Sequence, residues 1–322
     1  MFEPIRETDS EQIINKKIIF TGLDNSGKSS IIIALQHSLA KLATLAPTKG
    51  VERASFDYLG FKIAAHDLGG QKKYLINYLK QPGKYFADTN AIIYVIDVQD
   101  VARYEESTSY FGDVLNELQD LEITPVIFVL FHKSEHITLE GDAESKTELE
   151  GSGMVWVEKL KQRITDIITG RMDVEFRLTT IFDPWSISSA FSDLMLKLVP
   201  QSVLLDQALQ DYGQSSNLDA LLLLDVNSLY LASYHKNNDA KEILRSSTPY
   251  FLTLLDSWKP FKKDASRKQM KVTMNLYSFL FLELVKEKKP SGFYFLAMSA
   301  TGQVDPKKLD EFSRIILSML ST

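Results

Sequence analysis

Glycines at 22 and 27, with Lys28 and Ser29 directly after the second, set out the spacing G-x-x-x-x-G-K-S, filled in between by Leu23, Asp24, Asn25 and Ser26. The apolar run Ile18-Ile19-Phe20 precedes this stretch, and the helix-like run Ile31-Ile32-Ile33-Ala34-Leu35 follows Ser30. A strand, a glycine turn and a helix in that order converge backbone N–H groups at a helix N-terminus, which favours an anion. Lys28 is expected to set its ammonium on β- and γ-phosphates, and Ser29 to offer its hydroxyl to Mg²⁺. Asp24, Asn25, Ser26, Gly27, Lys28, Ser29 and Ser30 are thus candidates for holding a nucleoside triphosphate.

Two further loops have the spacing to complete such a site. In Pro47-Thr48-Lys49-Gly50, Thr48 is expected to reach Mg²⁺ with its hydroxyl and the γ-phosphate with its backbone N–H. In Asp67-Leu68-Gly69-Gly70-Gln71, Asp67 would hold Mg²⁺ through water. Gly70 would present its N–H to the γ-phosphate unhindered by a side chain, and Gln71 would orient the attacking water. The expected catalytic set is Gln71, Lys28 and Thr48; the expected metal set is Ser29, Thr48 and Asp67. Phe131-His132-Lys133-Ser134-Glu135 stands where an N-K-x-D motif reads guanine. A carboxylate there accepts from the base N1–H and 2-amino groups while the lysine stem packs on its face. Here the first residue is His132, and Glu135 is one methylene longer than aspartate; guanine remains the expected base. Thr180 and Ile181 are expected to bring a backbone N–H to the base carbonyl.

Such loops need a scaffold, and hydrophobic periodicity supplies one. Strands are expected at 17–21, 53–58, 61–67, 91–97, 125–131 and 174–181, and helices at 29–41, 104–120, 154–169 and 186–199. Runs such as Ile92-Ile93-Tyr94-Val95-Ile96 read as central parallel strands covered on both faces. The front of the chain is therefore expected to be a doubly wound α/β domain over residues 16–200, after a loose polar arm at 1–15. Polar, acidic residues between Glu135 and Gly153 read as a surface loop.

After residue 200 the order changes. A helix at 202–212 precedes strands at 220–226 and 229–235 joined at Asn227-Ser228. A long helix at 239–258, strands at 269–285 and 293–299, and a last helix at 306–320 follow. This reads as a separate α+β domain over 201–322. Its basic run, Lys259, Lys262, Lys263, Arg267, Lys268 and Lys271, reads as a solvated loop.

The chain has 322 residues, enough for two cores, and a formal net charge of −6. Residues 201–322 carry 15 basic and 13 acidic side chains, so the acidity lies in the front. Neither half has the charge of a nucleic-acid binder. Zero cysteines exclude disulfides, zinc–thiolate sites and thiol catalysis. No run is long enough to cross a bilayer, and neither end carries a leader or lipidation pattern. The expected place is the cytoplasm, with a membrane reached only through a partner.

Gly22–Ser29, Thr48, Asp67–Gln71 and His132-Lys133 together resemble a Ras-like GTPase, and the first two segments look Arf-like. Three features are similar to the Rag (Gtr) GTPases: the length from Gln71 to Ile92, the His132-Lys133 pair, and Phe176–Asp183 with its helix. The back half, from Asp219, is similar in element order to the roadblock (longin-like) domain that Rag proteins carry. The resemblance implies a P-loop GTPase fold with a mixed, mostly parallel sheet, using GTP/GDP and Mg²⁺. It also implies slow turnover without an activating protein, an exchange protein, and homo- or heterodimerisation through residues after about 200. A nucleotide-bound scaffold with little turnover, an Arf-like trafficking GTPase and a P-loop kinase or ATPase are the competing readings; Asp67–Gln71 argues against the last.

Overall fold

The computed structural model describes residues 15–36, 46–59, 61–137, 148–168, 170, 172–199, 201–225, 229–258, 269–274, 276–286, 289–300, 302 and 304–320. Residues 1–14 of the expected arm, the acidic stretch at 139–146, Asn227-Ser228, and Lys259 to Lys268 of the basic run lie outside them.

Six strands form the first sheet, in the order β2-β3-β1-β4-β5-β6. They are β1 (Asn15–Thr21), β2 (Val51–Tyr58), β3 (Phe61–Leu68), β4 (Ala91–Asp97), β5 (Val126–His132) and β6 (Val174–Thr179). Only β2 runs antiparallel to its neighbour, β3; the other pairings are parallel. The central strands are apolar on both faces because helices cover both, and β4 is buried from Ala91 to Ile96. Helices α1 (Lys28–Leu35) and α6 (Pro184–Leu198) pack on one face, through Ile31, Ile187, Phe191 and Leu194. On the other lie α4 (Tyr104–Asp120) and α5 (Glu148–Ile168), through Phe111, Val114, Leu160 and Ile164. From β1 the chain crosses to β3 on one side and later to β4 on the other, so the turn after β1 opens where connections diverge, the usual ligand position of such sheets.

No element is expected from the sequence between Gln71 and Ala91, yet α2 (Lys72–Lys80) and the single turn α3 (Pro82–Tyr85) occupy it. Leu75 and Tyr78, three residues apart, are the buried side of α2. Helix α5 starts at Glu148, six residues ahead of expectation, because Glu148-Leu149-Glu150 are helix formers whose acidic members suit an N-terminal turn.

Beyond α6, the helix α7 (Gln201–Ser215) leads into a wholly antiparallel five-stranded sheet ordered β8-β7-β11-β10-β9. Its strands are β7 (Ala220–Asp225), β8 (Tyr230–His235), β9 (Gln269–Met274), β10 (Tyr277–Lys286) and β11 (Lys289–Ser299). The single strand expected over 269–285 is in fact the β9–β10 hairpin, with Met274 opposite Tyr277. Seventeen residues in one strand would run roughly 55 Å, far beyond their neighbours; folding back between Met274 and Tyr277 gives β10 two partners instead. Alternation along β7 sends Leu221 and Leu223 to one side, with Leu205 and Leu209 of α7 and Phe312 and Ile316 of α9 (Pro306–Met319). Leu222 and Leu224 point to the other, against Leu244 and Phe251 of α8 (Asn238–Trp258). One apolar cluster runs from Ile18 and Phe20 through α6 into Leu205, Leu221 and Leu223, so the two sheets share a core with α6 between them.

Candidate functional site

The turn after β1 wraps a cleft of about 250 Å³ lined by Asp24, Asn25, Gly27, Lys28, Ser29, Ser30, Ala46, Pro47, Thr48, Gly70 and Gln71. Three loops from three strand ends thus meet as their spacing implied. Gly27 has φ +97°, and a Cβ there would lie 2.3 Å from Cδ2 of His132, so the loop can seat itself on the histidine only with glycine at this position. The cleft and the second motif are in this way built against each other.

Lys28 is buried, and its ammonium donates to the carbonyls of Leu23 (2.7 Å) and Gly22 (3.0 Å) and to Ser26 Oγ (3.3 Å). Burial pulls its pKa down to about 8, against the raising influence of Asp67 and Asp24. Ser26 is buried and is not among the residues that line the cleft. Beside Lys28, Asp67 Oδ2 accepts from Ser29 Oγ and, at 3.1 Å, from Thr48 Oγ1, while the two hydroxyls are 2.9 Å apart. Asp67 Oδ1 is buried without a hydrogen-bond partner, and burial raises the pKa of the carboxyl. A desolvated carboxylate with an idle oxygen between two hydroxyls is a hard-oxygen donor set that a divalent cation such as Mg²⁺ fits.

Gly70 closes the far wall: its carbonyl accepts from the Asp24 N–H at 3.0 Å, and a Cβ there would lie 2.2 Å from that nitrogen. Gln71 precedes α2, its carbonyl accepting from Tyr74 and Leu75, and its half-buried side chain lines the cleft. Gly50 ties the Thr48 loop to the Gly69-Gly70 loop and to α2, its carbonyl accepting from Gly69 N (2.8 Å) and Tyr78 Oη (2.8 Å).

The second cluster lies at the ends of β5 and β6. His132 is buried, with Nδ1 3.0 Å from Thr179 Oγ1; burial first, and Lys133 next, lower its pKa to about 4, so the ring is neutral. Lys133 turns at φ +62° and pairs with Asp97 Oδ2 at 2.6 Å. Glu135 is exposed but held at both oxygens, by Gln99 Nε2 (2.8 Å) and Thr180 Oγ1 (2.7 Å). Strand β6 ends at Thr179, short of the expected Ile181. The Thr180 N–H, expected to face a base, is spent on Ser186 Oγ at 3.0 Å, so Thr180 contributes its hydroxyl instead. Ile181 is half-buried against the shared core.

Gln99 and Arg103 escape the sequence reading. Gln99 also donates to the Lys133 carbonyl at 3.0 Å, and Arg103 reaches Asp24. The one local hint is that both follow β4 on the loop side of the sheet.

Residues 17–249 match the family described as the Gtr1/RagA G protein conserved region. The GTP-binding protein GTR2 of Saccharomyces cerevisiae is 24% identical over 272 residues, which are 83% of this chain and 74% of that protein. ADP-ribosylation factor-like protein 3 of Chlamydomonas reinhardtii is 35% identical over 112 residues, covering 35% of this chain and 60% of that one. The solved Arl6 BBS3 small GTPase of Trypanosoma brucei, with bound GppNp, superposes on 57% of this chain and 97% of its own at TM-score 0.43 and 21% identity. With its family match covering most of its length, the chain belongs to the Gtr1/RagA G proteins, switches that bind and hydrolyse GTP with Mg²⁺.

Proposed function

We propose that the cleft between the turn after β1, Thr48 and Gly70-Gln71 takes the triphosphate of GTP, and that His132 to Glu135 with Thr180 take its guanine. The observation that carries this is the buried cluster of Lys28, Ser29, Thr48 and Asp67, with its idle carboxylate oxygen. In this reading Lys28 exchanges the Leu23 and Gly22 carbonyls for phosphate oxygens. The Gly70 N–H meets the γ-phosphate, and Gln71 orients the water that attacks it. Ser29, Thr48 and Asp67 would hold Mg²⁺, which would supply charge neutralisation at the phosphates. Gln99 and Thr180 fix the longer carboxylate of Glu135 for guanine, while Lys133, pinned by Asp97, lies along the base.

Gtr1/RagA proteins work as heterodimers with partner GTPases. The finer reading divides this chain near residue 200 into a GTPase domain and a roadblock-like domain that pairs with its counterpart. Two features favour it: β9 is an edge strand, and Tyr250 on α8 is 73% exposed while its neighbour Phe251 is core. Activating and exchange proteins would act on the Thr48 and Gln71 loops. None of the described helices is long and apolar enough to cross a membrane.

Equilibrium binding of fluorescent GTP to the full chain, with Mg²⁺ and competing ATP, tests the site. Tight GTP binding, weakened by chelation and unmoved by ATP, is expected. No association at large GTP excess, or equal competition by ATP, refutes it. Particle mass, alone and with a candidate partner GTPase, tests the pairing.

A further inference from the structure

Asp24, the third residue of the phosphate turn, poses an electrostatic problem. Its side chain is 47% exposed, the residue lines the cleft, and its N–H is bonded to the Gly70 carbonyl, so in the site assigned above this carboxylate stands on the residue next to Gly70, at the terminal-phosphate end. A carboxylate there repels a polyanion, and repels a triphosphate more than a diphosphate.

Arg103 answers that charge across 79 residues. Its Nη2 lies 2.7 Å from Asp24 Oδ1 and its Nη1 donates to the Asp24 carbonyl at 3.3 Å, a two-point grip on side chain and main chain. Its Nε is taken by Glu106 Oε2 at 2.9 Å, which fixes the plane of the guanidinium. The backbone beneath is also held: Arg103 closes the short 3-10 turn Val101–Arg103 with an N–H bond to Asp100 O (3.1 Å), and Tyr104 Oη donates to Val98 O at 2.7 Å. Both charges reach the phosphate lysine, Asp24 favouring its ammonium and Arg103 opposing it.

We propose that Arg103 is a positioning residue that masks the Asp24 carboxylate and anchors the lip of the cleft, setting the preference of the site for GTP over GDP. It acts through Asp24 and does not line the phosphate cleft itself. The proposal rests on the site assignment above and deepens it.

The test is the ratio of GTP to GDP affinity, from fluorescent-nucleotide titration of the full chain in low and high salt. Arg103→Ala is expected to weaken GTP about tenfold relative to GDP, an effect that shrinks with salt. Arg103→Lys should keep most of the ratio. Asp24→Asn alone, which leaves the arginine in place, should raise it. In the double variant the ratio should return to within about twofold of the unmodified chain, as expected if the two residues act as one pair. A melt without nucleotide separates these effects from loss of fold, which would lower both affinities alike. Equal losses for GTP and GDP in Arg103→Ala, or a double variant no better than the single, overturn the proposal. If the unmodified chain binds neither nucleotide, the site assignment itself falls and takes the proposal with it.

Discussion

Replacing His132 by asparagine should remove a specific pH dependence from the stability of the fold. The ring is 1% exposed, packed under Gly27 and against Thr179 Oγ1, and its pKa is lowered to about 4. In the unfolded chain it titrates near 6.5, so between about 4 and 6.5 the unfolded state binds the extra proton and stability rises with pH. The contribution is complete above pH 6.5 and drains away as pH falls toward 4. Between pH 7.5 and pH 5.0 the loss comes to about 2 kcal/mol. Other groups titrate nearby: Asp67 is raised, while Glu135 and Glu175 are lowered. The informative quantity is therefore the difference between the two chains. Asparagine leaves a gap beneath Gly27, but that cost does not change with pH. Urea unfolding without nucleotide, at pH 7.5 and 5.0, should show the original chain losing about 2 kcal/mol more than His132→Asn. Equal losses in the two chains would mean that His132 can be protonated where it sits, and the buried, neutral ring would be wrong.

Three further outcomes follow from the cleft. Gln71→Leu should keep GTP binding and lower single-turnover hydrolysis by about 10²-fold or more, since only the orientation of water is lost; undiminished hydrolysis would remove Gln71 from the chemistry. Gly70→Ala sets a Cβ 2.2 Å from the Asp24 nitrogen and 2.3 Å from the Leu23 carbonyl carbon, backbone that cannot give way. The two loops must part, so GTP affinity should fall by about tenfold or more while GDP is spared, given one lost main-chain bond plus strain; equal affinities in a nucleotide titration would contradict this. Burial lowers the Lys28 pKa to about 8, below the ordinary 10.5, so in nucleotide-free buffer the fold is expected to gain stability from about pH 8 to 10.5. An anion needs the ammonium, so GTP affinity should drop above pH 8 by up to about tenfold per unit. Calorimetry at pH 8.5 in buffers of different ionisation heat should register proton uptake; none would mean that Lys28 is not the ligand.

The parts of the site that are legible in sequence are those whose partners lie within one turn. Glycine spacing and the Lys28-Ser29 pair announce a turn that must gather N–H groups, whatever surrounds it. Asp67, Gly70 and Gln71 can be read because a strand end fixes their order. Arg103 cannot be read in this way: the turn it occupies has no pattern of its own, and the partner that gives it meaning is Asp24, 79 residues away. Gln99 is the same case, since the Lys133 carbonyl and Glu135 that it holds lie 34 and 36 residues away. Thr180 shows the converse, where a local expectation is overridden because Ser186, on the next helix, takes its N–H. In the fold, alternation cannot say where a long apolar stretch doubles back. That is decided by the width of the sheet receiving it, as at Met274 and Tyr277.

The strand that leaves the Thr48 loop ends inside the other half of the molecule, and this limits how the loop can move. Strand β2 begins at Val51 and has β3 as its neighbour at the edge of the first sheet. Its far end buries Tyr58, whose hydroxyl donates to the Tyr230 carbonyl on β8 at 3.3 Å. Two residues earlier, on the same face, the Phe56 ring packs tilted against Phe191 of α6, with centroids 5.5 Å apart. Tyr230 is itself anchored to that helix, through its N–H to Ser192 Oγ at 3.1 Å and its hydroxyl to Asp193. A one-residue slip of β2 along β3 would turn Phe56 and Tyr58 outward and strip them from the shared core, at about 2–3 kcal/mol for each ring. In the proposed site, a rearrangement of the Thr48 loop on loss of the γ-phosphate would therefore either be absorbed before Val51 or be carried by β2, α6 and β8 moving together. In the second case the state of the nucleotide would reach the antiparallel sheet through the Tyr58–Tyr230 contact.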